Sequence, residues 1–465
     1  MIVQSDSLEF LKTIKDFDND IIYCDPPYAL GSEVIIRKDG KVDYKKANDF
    51  MSKWEMPTGE YWEKWFTEAY RTLKHGGWLI MFGMDRQLLL FKYYALLAGF
   101  EEQQSLYWYF ISNFPKATDL SKMLDKNAGV EREVVKISTD RRDDGTNYEL
   151  GMTGNITSNN AITDLAKKYD GYKYSISPLK QTNETIMVFK KPSKTGSVLH
   201  DTLAYENGDK TITVGALNID GNRVGTEQRF NGGKNGDPVN TYGKYNDDYE
   251  GSEAIGRYPA QTFVDEQTAE VLDRQSGVSK GNNSFGGGSG GIWTTGNSMQ
   301  VSQGYDDIGG ASKILHKCKF EKEDMDLYHY EPKVSGYERN AGLGNELLKD
   351  TSTGLDTKGR TLEREDGSKT LVDRFVKQPQ QNNHPTLKPI ALNEQILKLF
   401  KTPNQQKICY AFGGAGSEII GGIKAGFDNL VGCEINQEYV DIANARIKYW
   451  KETMTTQTDI FEFIG

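Results

Sequence analysis

Asp25, Pro26, Pro27 and Tyr28 follow "IIYC", an apolar and aromatic run that reads as a buried strand. Neither proline can donate to a ladder, so the strand must stop there. An Asp-Pro step alone is an ordinary turn. Two prolines in succession also stiffen the backbone on which a carboxylate and an aromatic ring are mounted, a pre-set geometry that costs little reorganisation during a reaction. A second constellation lies near the other end, in "YAFGGAGSEIIGGIKAGFDNLVGCEIN". It reads as strand, glycine turn, helix, strand and terminal acid. Gly413, Gly414 and Gly416 let backbone approach a ligand with no Cβ in the way. Glu434 stands about 20 residues further on, where an acid can accept both hydroxyls of a ribose.

Packing alone is the competing reading of such a glycine turn, and Glu434 after a buried strand favours a nucleoside cofactor instead. No Gly-Lys-Ser/Thr follows the glycines, which disfavours a phosphate-binding loop. Ile419 stands where a dinucleotide motif would have its third glycine. S-adenosylmethionine, with ribose and adenine but no pyrophosphate, fits better.

The elements that must position these residues alternate. Strand "MIVQSDSL", helix "LEFLKTI" and the strand before Asp25 come first. A helix from about Tyr61 to Leu73 is stopped by His75-Gly76-Gly77, and strand "WLIMFG" follows. Helix "DRQLLLFKYYALLAGF", strand "EQQSLYWYF" and strand "ETIMVFKKP" complete this half. Helix "ALNEQILKLFKT", strand "KICYAF", helix "SEIIGGIKAGF", strand "NLVGCEI" and helix "QEYVDIANARIKYWKE" build the last part. This pattern predicts an α/β fold with a mostly parallel twisted sheet whose two halves lie at opposite ends of the chain. Three segments follow: 1–192, carrying Asp25; 193–380, rich in glycine, asparagine and aspartate without sustained periodicity; and 381–465, completing the sheet. So long an irregular stretch is usually functional or mobile; a disordered linker is the competing reading, and its aromatic residues favour an ordered or partner-ordered insertion.

Composition narrows the classes. The chain has 465 residues, 37% of them hydrophobic, and no apolar run of the roughly 20 residues a membrane span needs. No signal-peptide pattern opens it, so a cytoplasmic location is expected. Cys24, Cys318, Cys409 and Cys433 show no C-x-x-C spacing, and the expectation is a reduced protein without a metal site. The net charge of −10 argues weakly against nucleic acid, since binding needs only a local basic face.

Taken together, "DPPY", "AFGGAG" and "NNHPTLKP" resemble the site-specific DNA methyltransferases that modify exocyclic amines. The order resembles their beta class, with the tetrapeptide first and the glycine turn last. "ALNIDGNRVG", "GRYPAQTFVDE", "GGASKILH" and "EPKVSGYERNAGL" resemble an insertion in a phage- and plasmid-associated branch. Two departures stand out. Tyr410 and Ala411 replace the usual acid and proline before Phe412, and Thr185 stands where proline is common.

The resemblance implies a Rossmann-like, circularly permuted methyltransferase fold, S-adenosylmethionine as methyl donor and double-stranded DNA as substrate. It implies that Asp25 and the Pro26 carbonyl accept hydrogen bonds from the target amine, with Pro27 helping to fix them and Tyr28 stacking on a base flipped out of the duplex. Phe412, Gly413, Gly414 and Gly416 would line the cofactor's methionine end. Glu434 would hold its ribose, Ile435 would pack on its adenine and Asp6 would face the adenine edge. His384, Thr386 and Lys388 would sit near its amino-acid end.

Aspartate first in the tetrapeptide favours N6-adenine; N4-cytosine, typically marked by serine there, is the near alternative. RNA or protein amide methylation and a catalytically inert DNA-binding module are more distant readings. Segment 193–380 is expected to recognise the target sequence, with Arg223, Arg229, Arg257, Arg274 and Arg339 as candidate contacts. Related enzymes are often homodimers. No nuclease motif is present, so modification alone is expected, and the sequence does not identify a restriction endonuclease partner.

Overall fold

The computed structural model describes residues 2–28, 33–45, 57–110, 117–132, 134–136, 155–157, 160–175, 178–231, 239–240, 243–244, 252–280, 308–318, 336–344, 360–363, 369–372, 382, 384 and 387–464. Nine strands form the backbone of the main sheet. In chain order they are β1 (Ile2–Gln4), β2 (Asn19–Cys24), β3 (Leu73–Gly83), β4 (Leu106–Tyr109), β5 (Asn183–Lys190), β6 (Thr262–Asp265), β7 (His316–Cys318), β8 (Lys407–Tyr410) and β9 (Asn429–Glu434). They lie side by side as β1-β9-β8-β2-β3-β5-β4-β6-β7, and a two-residue strand, Glu101–Glu102, pairs with β5. Only β5 is antiparallel to its numbered neighbours. The fold is therefore α/β with a mostly parallel sheet, and strands from the two chain ends interleave.

Strand β2 is buried along its whole length, and its side chains alternate between two cores. Ile21 and Tyr23 enter one, with Trp78, Ile80 and Phe82 of β3 and residues of helices α5 (Ile390–Phe400), α6 (Ser417–Lys424) and α7 (Gln437–Ile464). Ile22 and Cys24 enter the other, with Leu79, Met81 and residues of helices α1 (Ser7–Thr13), α2 (Gly59–Thr72) and α3 (Asp85–Ala98). Helices thus cover both faces, as a parallel sheet requires.

The register fixes the working edge. Tyr23 pairs with Tyr410, and Tyr410 with Gly432. Two residues further along these parallel strands stand Asp25, Phe412 and Glu434, so the tetrapeptide and the ribose-type acid leave the sheet at one edge, two strand spacings or about 10 Å apart along it.

Three expectations need correction. His75-Gly76-Gly77 does not separate helix from strand: α2 ends at Thr72 and β3 begins at Leu73. The glycines instead absorb a bulge, where pairing with β2 jumps from Asn19–Leu73 to Ile21–Trp78 and Gly76 takes φ +78°. "EQQSLYWYF" is broken between Glu102 and Leu106. The stretch 193–380 contains regular structure: β6, helix α4 (Glu266–Ser276) and β7 extend the main sheet. Strands of four and three residues are too short to show a period. The beginning of this stretch also stays on the body. Thr213 N donates to the His75 carbonyl at 2.9 Å and Asn218 N to that of Leu399 at 2.8 Å. Among the described residues no helix is long and apolar enough to cross a membrane.

Candidate active site

Asp25 leaves the end of β2 with its side chain 14% exposed. Its Oδ2 meets the Lys388 ammonium at 2.5 Å. Its Oδ1 is buried and has no hydrogen-bond partner among the described residues. Lys388 reaches two further groups, the Tyr28 hydroxyl at 3.2 Å and Glu184 Oε2 at 3.3 Å. The Tyr28 hydroxyl in turn donates to Glu184 Oε2 at 3.2 Å. Lys388 and Glu184 are each only 4% exposed, and the ammonium lies over the rings of Tyr28 and Phe82 at 5.0 and 4.9 Å.

Burial opposes the charge on Lys388, but Asp25 and Glu184 outweigh it and hold the ammonium's pKa above its ordinary value. Burial, followed by the same two acids, pushes the Tyr28 phenol well up, so its hydroxyl remains a donor. Pro26 is buried, and the Pro27 carbonyl accepts from Gln87 Nε2 at 3.1 Å. The tetrapeptide is therefore clamped both by its own rings and by neighbours.

Lys388 is delivered by the start of α5. Tyr23 of β2 donates its hydroxyl to Asn393 Oδ1 at 2.7 Å, tying this helix to the strand that carries Asp25. Glu338 caps it from the 336–344 segment by accepting from Ile390 N at 2.7 Å. The buried Arg446 guanidinium donates to the Glu338 carbonyl at 2.9 Å, to Ser417 Oγ at 3.1 Å and to the Ala415 carbonyl. A piece of the central stretch is thus locked to the site wall. Arg339 belongs to this lock, donating to the carbonyls of Asn382 and His384 at 3.0 and 2.9 Å. Of the other candidate arginines, Arg223 pairs with Asp220 at 2.8 Å, Arg257 is half-buried, Arg274 is exposed, and the Arg229 side chain lies outside the described residues.

The glycine turn follows β8. Gly414 and Gly416 have φ of +47° and +83°, and Gly413 N donates to the Cys433 carbonyl at 2.7 Å. A Cβ on Gly413 would lie 2.8 Å from Ile2 Cδ1, one on Gly414 3.1 Å from His384 Nε2, and one on Gly416 3.2 Å from Ala443 Cβ. The chain's own packing therefore already demands these glycines. Glu434 accepts from Gly414 N and Asn436 N, both at 3.0 Å. Burial pushes its carboxyl up, against the pull of these amides. Ile435 beside it is 58% exposed, an apolar surface next to a carboxylate.

Phe412 tilts against Trp62 and Trp65, each at 5.9 Å between ring centroids. Asp6 caps α1 through Leu8 N at 2.9 Å and Glu9 N at 3.1 Å, and Tyr61 donates to its other oxygen at 3.1 Å. His384 is buried edge-on to Tyr439, 4.6 Å between centroids. Thr386 lies outside the described residues.

Glu184 and Glu418 escape the sequence reading. Glu418 is buried in the first turn of α6, where burial and the nearby Asp25 push its carboxyl up to about 7, opposed by Lys388 and Arg446. Its one sequence signal is an acid inside an otherwise apolar glycine-turn helix. Glu184 opens an apolar strand, where an acid buried without a partner would be costly.

A family model described as DNA methylase matches residues 19–445. No curated protein matches the chain. Among solved structures, the M1.HpyAVI–SAM complex is 11% identical with a TM-score of 0.32, covering 96% of this chain and 98% of that one. PvuII DNA methyltransferase, described as cytosine-N4-specific, is 12% identical with a TM-score of 0.36 over 96% of this chain and 85% of its own. The assignment that follows rests on the family match.

Proposed function

Because the chain belongs to the DNA methylase family that modifies amino groups at N6 or N4, we propose that it methylates the N6 amine of adenine in duplex DNA. The carrying observation is the division of labour on Asp25: one oxygen is tethered by Lys388 and the other is left without a partner. Aspartate, where N4-cytosine relatives typically have serine, favours adenine.

S-adenosylmethionine, the methyl donor of this family, supplies an electrophilic methyl group when bound. The residues present fit it. Glu434, backed by two amides, suits ribose hydroxyls, and exposed Ile435 suits a purine face. The glycine turn and His384 adjoin them. Asp6 keeps lone pairs for the adenine edge, and Phe412 and Thr386 belong to the same assignment.

An exocyclic amine is a poor nucleophile because its lone pair is delocalised into the ring. Asp25 Oδ1 and the Pro26 carbonyl would accept hydrogen bonds from its two N–H groups and draw the nitrogen toward tetrahedral geometry. They would thereby stabilise positive charge that develops only in the transition state. Lys388 keeps the carboxylate from rotating to satisfy both oxygens elsewhere. Extruding the base costs a few kcal/mol. Stacking on Tyr28, worth about 1–3 kcal/mol, offsets much of that.

Target choice is assigned to segment 193–380 outside the strands it lends to the sheet. The test is mass spectrometry of nucleosides from duplex DNA incubated with protein and S-adenosylmethionine, with RNA as competitor. N6-methyladenine is expected. N4-methylcytosine alone would overturn the base assignment, and methylation of RNA in preference to DNA would overturn the substrate.

A further inference from the structure

We propose that Glu184 is a positioning residue for methyl transfer, acting through Lys388 and Tyr28; this rests on the reading of function above. Glu184 is placed to set both halves of the tetrapeptide at once. Its Oε2 receives the Tyr28 hydroxyl at 3.2 Å, fixing where the ring face points, and lies 3.3 Å from the Lys388 ammonium that grips Asp25. It projects from the start of β5, the sheet's single strand antiparallel to both numbered neighbours. It thereby enters the catalytic edge from a different chain direction than the tetrapeptide.

Charge explains why an acid is needed there rather than an amide. One lysine facing Asp25 alone would form a closed neutral pair, with the ammonium drawn fully onto the carboxylate that must accept the target amine. A second anion shares the ammonium, so the cluster of Asp25, Glu184 and Lys388 keeps one net negative charge. That charge faces the nitrogen that becomes cationic as the methyl arrives. Among the described residues, the groups around the cluster include Asp25 and Tyr28 beyond β2, Glu184 on β5, Lys388 before α5, Glu418 on α6 and the apolar Phe82 on β3.

Glu184→Gln preserves shape and the acceptor for Tyr28 but removes the charge. Methyl-transfer kcat on duplex DNA is expected to fall about 10- to 100-fold, the scale of a slight misplacement at a reacting centre. The S-adenosylmethionine Kd measured by calorimetry should stay within about threefold. Combining Glu184→Gln with Tyr28→Phe should cost less than the two separate losses multiplied, because both weaken one network that joins Tyr28, Glu184 and Lys388.

Activity lost only in step with thermal stability, or losses that multiply in full in the double variant, would make Glu184 a structural prop and overturn the inference, as would wild-type kcat in the variant. A wild-type protein that methylates no DNA sinks the functional reading, and this inference with it. An active wild type with an indifferent Glu184→Gln sinks only the inference.

Discussion

Asp25 and Asp265 occupy equivalent places in two regions of one sheet, each directly beyond or at the carboxyl end of a parallel strand, yet their carboxylates have opposite fates. Asp265 ends β6 in the added region and is the N-cap of α4, accepting from Thr268 N at 2.6 Å. Asp6, after β1, does the same for α1. Asp25 is followed by two residues that have no N–H, and no helix starts there. A carboxylate that cannot cap must find other partners, and what the structure supplies is a lysine brought from more than 360 positions away. The prolines do more than stiffen the chain. They remove the two backbone donors nearest the acid, and residues 25–28 form no helical turn that would bring the third, Tyr28 N, back to it; this distinguishes the proposed catalytic aspartate from a structural one.

The sharpest way to break this comparison is Asp25→Ala. Methyl transfer should fall by at least about a thousandfold, the upper range for removing one electrostatic stabiliser of a transition state. S-adenosylmethionine binding should remain, since Glu434 sits two strands away and the glycine turn follows the neighbouring strand β8. Turnover near the wild-type rate in a tritiated-methyl assay would place the chemistry elsewhere.

Tyr28 comes next. Tyr28→Ala should cost about 5- to 150-fold in kcat/KM, the worth of one stacked base. Tyr28→Phe should cost less, but more than nothing, because the hydroxyl joins Glu184 to Lys388. Equal losses in the two variants would mean that the hydroxyl network, not the ring face, is what matters.

Much of this site was legible in the sequence because its parts are short-range. A strand stopped by Pro26 and Pro27 and a glycine turn followed by Glu434 can each be read within 30 residues. The interleaving of chain ends followed from the element pattern. What could not be read is long-range. The Lys388 ammonium, which the family resemblance assigns to the cofactor's amino-acid end, meets Asp25 across the fold. Glu184 looks like a strand-opening polar residue until β5 is placed beside β3. Strands β6 and β7 were hidden because three or four residues cannot display a period, and only the register with β4 identifies them.

Glu418 sharpens the comparison from a third direction, as a buried acid that neither caps through its side chain nor pairs closely. Its pKa rises from 4.5 to about 7 in the folded state. The native state therefore binds its proton more tightly than the unfolded chain does between those two values. Stability from this group is full below about pH 4.5, falls as pH rises toward 7 and is lost above that. Glu418→Gln should accordingly raise the melting temperature at pH 8 and leave it nearly unchanged at pH 4.5. The gain corresponds to at most about 3 kcal/mol. An equal shift at both pH values would show that the carboxyl is not the group responsible.

The smallest effect belongs to the structural partner in the pair of aspartates. Asp265→Ala removes the cap of α4 and should cost about 1 kcal/mol of stability, the usual worth of an N-cap side chain. The kcat for methyl transfer should not change, because Asp265 leaves the sheet four strand positions from Asp25, beyond β3, β5 and β4. Asp265→Asn, which keeps an acceptor for Thr268 N, should recover most of the loss in a denaturant melt. If Asp265→Ala instead lowered turnover as Asp25→Ala does, the absence of a capping turn after the acid would no longer explain which aspartate is reactive, and the added strands would have to be counted as part of the catalytic centre.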